Sequence, residues 1–301
     1  MSAPLMISVA GIRGIVGESL TPPVLARFAA AFAHGLEPGP VVVGRDARRS
    51  GPMVYRAVAA GLMAAGRDVI DLGLATTPAT EVAVEELHAA GGIILTASHN
   101  PAEWNALKLL SGRGEFLDAE TGGAVRQRYE SGDRLWATFD RLGSESAEPR
   151  ALEWHLERVL ALPFIDAAAI RRRHLRAVVD GCASVGGVAV PRLLRELGCE
   201  VVELDCAPDG RFTRELEPLP EHLGALGAAV RDARADFGVA RHIGAWRNNR
   251  RRRTTAFLQN IEQTHPQLGG LDLTDSDQGM SMVAEQGPQI GIRAQHGVTK
   301  D

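Results

Sequence analysis

Residues 91–111 read GGIILTASHNPAEWNALKLLS. The apolar run at 92–95 predicts a buried strand, and a polar loop follows it at once. In a parallel α/β sheet, ligands bind in the crevice beyond the carboxyl ends of the strands. The loop places the hydroxyl of Ser98, the imidazole of His99 and the amide of Asn100 side by side, which indicates a nucleophile or a carrier of a phosphoryl group. The alternative is a simple turn that Ser98 caps.

Ten residues after Ser98 stands Lys108, one of only two lysines among the 33 lysines and arginines of the chain. Arginine stays protonated in proteins, whereas the pKa of a lysine can be lowered until it exchanges a proton near neutral pH. In a sequence that otherwise uses arginine for its positive charges, Lys108 is therefore a candidate for proton transfer. A surface lysine without a chemical role is the alternative.

The sequence around this stretch alternates strand and helix signals. Short apolar or β-branched runs predict strands, and alanine-rich stretches that open with Ser, Thr or Pro predict helices. The predicted strands are 41–43, 68–71 and 92–95, and the predicted helices are 22–36, 52–65 and 80–87. This βαβα order predicts a mostly parallel sheet with helices on both faces.

A small, polar segment, GSESAEPR at 143–150, predicts a linker. A second alternating block follows it. Its predicted strands are 177–180, 200–204 and 236–240, and its predicted helices are 151–162, 188–197 and 221–231. We therefore expect one α/β domain over residues 1–145 and a second over 150–240.

The character of the sequence changes after Ala240. Glutamine occurs once before this point and seven times in the last 61 residues, and residues 247–253 read RNNRRRR. We expect an irregular, aberrant tail over 241–301. A changed reading frame or a truncated gene is the interpretation we favour, with a disordered tail as the alternative. Contact between the arginine cluster and nucleic-acid phosphates is a third interpretation.

Composition excludes several classes of protein. A formal net charge of -4 argues against a polycation built for nucleic acid. Three cysteines without ligand-like spacing argue against a disulfide scaffold and a zinc site. The first residues do not form a signal peptide, and the longest apolar run, 57–66, is too short to cross a bilayer. We expect a cytoplasmic protein without a membrane partner, and the oligomeric state stays open.

Two arginines lie beside glycines at predicted strand ends. Arg13 stands in GIRG, and Arg45 stands in GRDAR after the strand at 41–43. A planar guanidinium binds phosphate through two parallel hydrogen bonds, so both are candidate phosphate ligands. Solvated arginines without a ligand are the alternative. The glycine-rich segment DGCASVGG at 180–187 lacks the spacing of known phosphate loops and favours a tight strand-to-helix turn.

Together these segments resemble the α-D-phosphohexomutases, the family of phosphoglucomutases, phosphomannomutases and phosphoglucosamine mutases. The TASHNP motif is the most specific of the matches, and the ISVAGIRG and EWNALK segments are most similar to phosphoglucosamine mutases of the archaeal type. The matching segments run in order between residues 7 and 240: GIRGIVGESLTP, VVVGRDARRSGP, DLGLATTPAT, GGIILTASHNPAEWNALKLL, RAVVDGCASVGG, PRLLRELGCEVVELDCAPDGRF, EPLPEHL and ADFGVA.

The resemblance implies two consecutive phosphohexomutase-type α/β domains with mixed, mostly parallel sheets. It also implies an isomerase in which Ser98 carries a phosphoryl group. The serine passes this group to a hexose phosphate and takes one back from the resulting hexose bisphosphate, so that phosphate moves between C6 and C1. Lys108 would be the acid/base residue, with His99 and Arg13 close to the phosphoserine.

The same resemblance implies a set of phosphate ligands and a metal. Arg13, Arg45, Thr96 and Asn100 would contact phosphate. Mg²⁺ would bind Ser98 through its phosphate, because a bound cation neutralises charge during phosphoryl transfer.

One segment departs from the family pattern. Phosphohexomutases place an aspartate-rich metal loop, D-G-D-x-D-R, directly after the strand that here ends at Ala240, whereas this chain continues RHIGAWR without a carboxylate. Mg²⁺ requires oxygen ligands. The third and fourth domains of the family also have no counterpart. We therefore expect Mg²⁺ as the family cofactor, its ligand loop to be missing here, and this polypeptide to be inactive or nearly so.

The interpretation we favour is a phosphoglucosamine mutase, which converts glucosamine 6-phosphate to glucosamine 1-phosphate. Phosphomannomutase and phosphoglucomutase remain alternatives, because the residues that read the sugar lie in the family's third domain. A non-catalytic remnant that binds sugar phosphates is the alternative from a different functional class.

Overall fold

The first domain is built on a seven-stranded mixed sheet. The computed structural model describes residues 4–131 and 135–240. The strands are β1 (Met6–Ser8), β2 (Gly11–Ile15), β3 (Val41–Arg45), β4 (Val69–Leu74), β5 (Gly91–Leu95), β6 (Trp104–Ser111) and β7 (Glu145–Ala147). Their order across the sheet is β1-β2-β6-β5-β3-β4-β7. The block β5-β3-β4-β7 is parallel, and β6, β2 and β1 extend it with antiparallel pairs.

Helices cover both faces of this sheet, as the sequence predicted. They are α1 (Pro22–Ala33), α2 (Gly51–Ala64), α3 (Thr77–Glu86), α4 (Ala119–Ser131) and α5 (Ala151–Leu160). Successive side chains of a strand point to opposite faces. Val41 and Val43 accordingly pack in one cluster with α1 and α2, whereas Val42 packs in the other with α3 and the start of α5. This two-sided burial explains why the parallel strands are continuous apolar runs.

The second domain has three parallel strands in the order β10-β8-β9. The strands are β8 (Arg176–Asp180), β9 (Glu200–Leu204) and β10 (Phe237–Ala240), and the helices are α6 (Ala167–Arg171), α7 (Gly186–Glu196) and α8 (Gly224–Asp232). The expected fold class, two consecutive α/β domains with mixed, mostly parallel sheets, is confirmed.

Several helix boundaries differ from the sequence prediction by one to three residues. Helix α3 begins at Thr77 rather than at residue 80, because Thr76 caps it by accepting a hydrogen bond from the N–H of Ala79. The helix predicted over 221–231 is a 3₁₀ turn at Pro220–His222 followed by α8.

The predicted linker at 143–150 is wrong. Its central residues form β7, which pairs in parallel with β4 at the edge of the first sheet. Helix α5, which the sequence placed in the second domain, packs against the first. Ala151 is buried in the cluster around α3, and Arg158 forms ion pairs with Glu85 and Glu86 of that helix. The start of the second block therefore packs on the first domain.

Besides β7, three strands of the first sheet carry no strand prediction. β2 and β6 contain glycine, arginine, asparagine and lysine among their apolar residues, and β1 has only three residues, so their pattern does not indicate a strand. They form because each pairs antiparallel with a neighbour that is already in place. These are the strands that carry Arg13 and Lys108.

The expected tail, residues 241–301 with its arginine cluster, lies outside the described residues. Within the part of the chain that the structure describes, no helix is long and apolar enough to cross a membrane.

Helices α1 and α2 pack closely at Gly61. A Cβ added to Gly61 would lie 2.3 Å from the carbonyl oxygen of Ala26 and 2.7 Å from its Cα. We predict that Gly61→Ala lowers the free energy of unfolding by about 1–3 kcal/mol, because the two helix backbones must separate. Chemical denaturation measures the effect.

Gly123 in α4 provides the matched control. A Cβ there would have no heavy atom within 4 Å, so Gly123→Ala gains only helix propensity, about 0.5–1 kcal/mol. Equal unfolding free energies for the two variants would contradict the packing argument.

Candidate functional site

The loop between β5 and β6, residues 96–103, forms the centre of the site and is called the serine loop below. Ser98 is half-buried and has a left-handed backbone with φ of 57°. Its N–H donates to the Thr96 hydroxyl at 3.2 Å. The Asn100 side chain and N–H both donate to the carbonyl of Ala97. His99 is exposed. The loop is thus a defined turn that leaves Ser98 accessible at the carboxyl end of β5.

Arg48 holds the serine loop from below. Its side chain has no exposed surface, and all five of its N–H donors are used. The Nε donates to the Asp46 carboxylate at 3.2 Å, and the two terminal nitrogens donate to four backbone carbonyls. These carbonyls belong to Ser98 (2.9 Å), Asn100 (2.7 Å), Pro101 (2.6 Å) and Trp104 (2.9 Å).

Sequence reasoning missed Arg48 and chose Arg45 from the same GRDAR segment. The signal that distinguishes them is Asp46, which lies two residues before Arg48 and accepts hydrogen bonds from both its backbone N–H and its Nε. An arginine beside such a carboxylate is positioned for burial, because a buried guanidinium needs a charge partner.

Asp46 joins Arg48 to the serine loop a second time. The carboxylate is 1% exposed and also accepts a hydrogen bond from the Thr96 side chain. Burial raises the pKa of Asp46, and the Arg48 guanidinium opposes that rise. Thr96 therefore links Asp46 to the N–H of Ser98.

Strand register places Lys108 and Arg13 on the same face of the sheet as Asp46 and Thr96. Arg13 is opposite Ala106, two residues from Lys108 in β6, and Lys108 is opposite Ile94, two residues before Thr96. Lys108 is half-buried, with its Nζ 5.9 Å from the centre of the Phe116 ring.

Burial lowers the pKa of Lys108. The nearby charge of Arg13 lowers it further, whereas the carboxyls of Asp46 and Glu81 oppose the shift. A lysine with a lowered pKa exchanges its proton more readily near neutral pH, as an acid/base role requires.

Arg45 lies on the other face. It follows Val41 and Val43 in strand alternation, toward α1 and α2, and its side chain lies against Gly51 and beside Tyr55. The sheet therefore carries Thr96, Lys108 and Arg13 on one face, and the serine loop begins at Thr96, whereas Arg45 lies on the opposite face. The predicted phosphate contacts of Arg45, Thr96 and Asn100 remain predictions.

The described residues do not fit a magnesium site by themselves. Between residues 4 and 240, apart from 132–134, no three His, Cys, Asp or Glu side chains cluster closely enough to hold a metal ion. Mg²⁺ takes oxygen ligands, and the buried carboxylate of Asp46 is already bound to Arg48 and Thr96.

The family model for phosphoglucomutase/phosphomannomutase α/β/α domain I matches residues 6–135, and the model for domain II matches 153–242. The chain belongs to this family of phosphohexomutases. The resemblance carried by the TASHNP motif is thereby confirmed.

Curated relatives carry two kinds of name. A phosphoglucomutase/phosphomannomutase of Thermococcus kodakarensis is 39% identical over 236 residues, which are 76% of this chain and 51% of the relative. A probable phosphoglucosamine mutase of Methanopyrus kandleri is 40% identical over 233 residues, 76% of this chain and 50% of the relative. The chain spans about half the length of the curated relatives it matches.

Solved structures agree on the fold. A putative phosphomannomutase from Thermus thermophilus superposes with a TM-score of 0.71 at 28% identity, covering 81% of this chain and 56% of that one. A family protein from Burkholderia thailandensis gives 0.66 at 30% identity, with coverage of 77% and 52%.

The largely buried carboxyl of Glu81 on α3 makes the stability of the fold depend on pH. Burial raises its pKa to about 7, with Lys108 opposing and Glu85 adding to the rise. Because the folded state holds this proton more tightly than the unfolded state, stability is full below the unfolded pKa and falls as pH rises through the folded one. We predict that the free energy of unfolding of the wild type falls by about 2–3 kcal/mol between about pH 4.5 and 7. The Glu81→Gln variant does not show this fall, because glutamine does not titrate.

Urea denaturation of the wild type and of Glu81→Gln at pH 4.5, 5.5, 6.5 and 7.5 measures this difference. Parallel stability curves for the two proteins across this range would contradict the assignment.

Proposed function

We propose that this chain carries the phosphoryl-carrying half of a phosphohexomutase site, with Ser98 as the residue that takes and returns phosphate. The observation that supports this most is the fixed backbone around Ser98. The carbonyl of Ser98 accepts a hydrogen bond from buried Arg48, and its N–H donates to the Thr96 hydroxyl. The residue itself has a left-handed backbone conformation just after the end of β5. Phosphoryl transfer depends on such positioning more than on covalent chemistry by the protein.

Loading of Ser98 needs no reagent other than a hexose bisphosphate. The Oγ of Ser98 attacks a phosphoryl group of a hexose bisphosphate, and a P–O bond to Ser98 forms as the P–O bond to the sugar breaks. The Ser98 hydroxyl gives up one proton and the departing sugar oxygen takes up one, so that the net change is transfer of a proton from Ser98 to the sugar by way of Lys108. In the reverse direction the phosphoserine gives its phosphoryl group to a sugar hydroxyl.

Lys108 supplies the proton to the sugar oxygen in this proposal and removes it in the reverse direction. Its lowered pKa supports that exchange, as does its position on the sheet face that carries Asp46 and Thr96, the residue at which the serine loop begins. Arg13, on the neighbouring strand, adds a permanent positive charge that favours the phosphate. We assign His99, which is exposed on the loop, a place at the rim of the crevice.

For the sugar we propose glucosamine phosphate, because several relatives at 36–40% identity carry the name probable phosphoglucosamine mutase. The relative at 39% identity that is named phosphoglucomutase/phosphomannomutase favours glucose or mannose phosphate as the second candidate. A cytoplasmic location is part of the proposal, because charged sugar phosphates do not cross a membrane unaided.

Loading of Ser98 does not by itself complete the isomerisation of a sugar phosphate. The segment after Ala240, RHIGAWR, offers no carboxylate where the family resemblance implies a metal loop. We therefore propose that this chain loads Ser98 but turns over glucosamine 6-phosphate poorly or not at all. Mg²⁺ as the cofactor that the family resemblance implies stays a prediction.

Loading is the first test. We predict that incubation with glucose 1,6-bisphosphate adds one phosphoryl group to the full chain, that peptide mass spectrometry places it on Ser98, and that Ser98→Ala gains none. Phosphate at another residue, or none on the wild type, would refute the proposal. Robust isomerisation of glucosamine 6-phosphate by the same protein would refute the poor-turnover part alone.

The role of Lys108 has its own test. We predict that Lys108→Arg slows loading of Ser98 by about 10²–10⁴-fold, because the charge remains but arginine does not release a proton. Rapid quench followed by mass spectrometry measures the rate. A loading rate for Lys108→Arg within a few-fold of the wild type would assign Lys108 to charge neutralisation only.

A further inference from the structure

The second domain contacts the first at the residues that hold the serine loop. A Cβ added to Gly210 would lie 2.0 Å from the carbonyl oxygen of Ala47 and 3.3 Å from the N of Arg49. The N–H of Ala47 donates to the hydroxyl of Ser184, which has no exposed surface. The backbone on both sides of Arg48 is therefore packed against two loops of the second domain.

Phe212 from the same part of the second domain covers the Arg48 guanidinium. The Cζ of Arg48 lies 5.4 Å from the centre of the Phe212 ring. All five N–H groups lie in the guanidinium plane and are already bonded, so only its faces are left for contact. An aromatic ring over such a face gains a cation–π interaction and excludes water.

Phe212 is itself supported within the second domain. It packs on Cys182 and Leu216, which are 0% and 4% exposed. Cys182 belongs to the glycine-rich turn, and Gly210 donates its N–H to the carbonyl of Ala183 in the same turn. This glycine-rich turn thus helps to build the surface that meets Arg48.

Water exclusion matters here because the four carbonyls that Arg48 binds set the path of residues 98–104. Ser98 sits in a left-handed conformation, which non-glycine residues adopt only when the surroundings hold them there. Solvent that reached the guanidinium would compete for these bonds, and the Ser98 backbone would relax.

We propose that Phe212 is a positioning residue for Ser98, which acts from the second domain through Arg48. The proposal rests on the loading function of Ser98 proposed above, but its structural part can be measured without that function. It gives the second domain a role in the loading of Ser98, the first half of the reaction.

The test compares Phe212→Leu, Phe212→Tyr and Phe237→Leu in the full chain. Leucine keeps apolar bulk without an aromatic face, and tyrosine restores that face. Phe237 is 5% exposed in β10, so Phe237→Leu weakens the second domain without touching Arg48. The two measurements are hydrogen exchange of the amides at 96–104 and the rate of Ser98 loading from glucose 1,6-bisphosphate.

We expect Phe212→Leu to speed exchange across 96–104 and to slow loading about fivefold, the effect of losing one cation–π contact. Phe212→Tyr restores both values, and Phe237→Leu lowers the denaturation midpoint while leaving both near the wild type. In an Arg48→Lys background, Phe212→Leu has no further effect on exchange, because residues that act through one another are not additive.

Unchanged exchange in Phe212→Leu overturns the proposal, as does an equal loss of loading in Phe237→Leu. Exchange and loading in Phe212→Tyr that match those of Phe212→Leu also overturn it. If the wild type does not load at all, the proposed function fails, and the exchange measurements alone decide whether Phe212 orders the serine loop.

Discussion

The guanidinium of Arg48 ties the loop that bears Ser98 to the sheet beneath it. Its two terminal nitrogens donate to four backbone carbonyls between residues 98 and 104. A buried charge is costly unless it is paired and fully hydrogen-bonded, and Arg48 meets both conditions through Asp46 and these carbonyls. Lysine has three donors around a single atom and does not reproduce this planar arrangement.

Asp46 and Arg48 form one unit with two attachments to the loop. Arg48 binds the carbonyl of Ser98, and Asp46 reaches its N–H through Thr96. Both peptide groups of the serine are thus fixed from the end of β3, the strand next to β5 in the sheet. Because its backbone groups are already bonded, the serine hydroxyl is not needed to hold the loop.

The antiparallel strands β6 and β2 determine which charged side chains accompany the serine. Their register puts Lys108 and Arg13 on the sheet face of Thr96 and Asp46, the face covered by α3. Arg45 is adjacent to Asp46 in sequence but points to the opposite face, because neighbouring residues of a strand alternate. A one-residue shift in β6 would exchange Lys108 for Leu107 or Leu109 and remove the amine from the site.

The sequence alone determined the parallel core and the serine loop. The apolar runs at 41–43, 92–95 and 177–180 predict buried strands because both faces of each strand are covered, and the TASHNP segment after one of them located Ser98. Only the tertiary structure decided that the segment 143–150 contains an edge strand, that Arg48 rather than Arg45 serves the loop, and that Phe212 covers it. The physical reason is the distance along the chain between the residues in contact. Apolar periodicity involves neighbouring residues and is visible in the sequence. The partners of Arg48 lie about 50 residues away in the loop and over 160 residues away in the second domain.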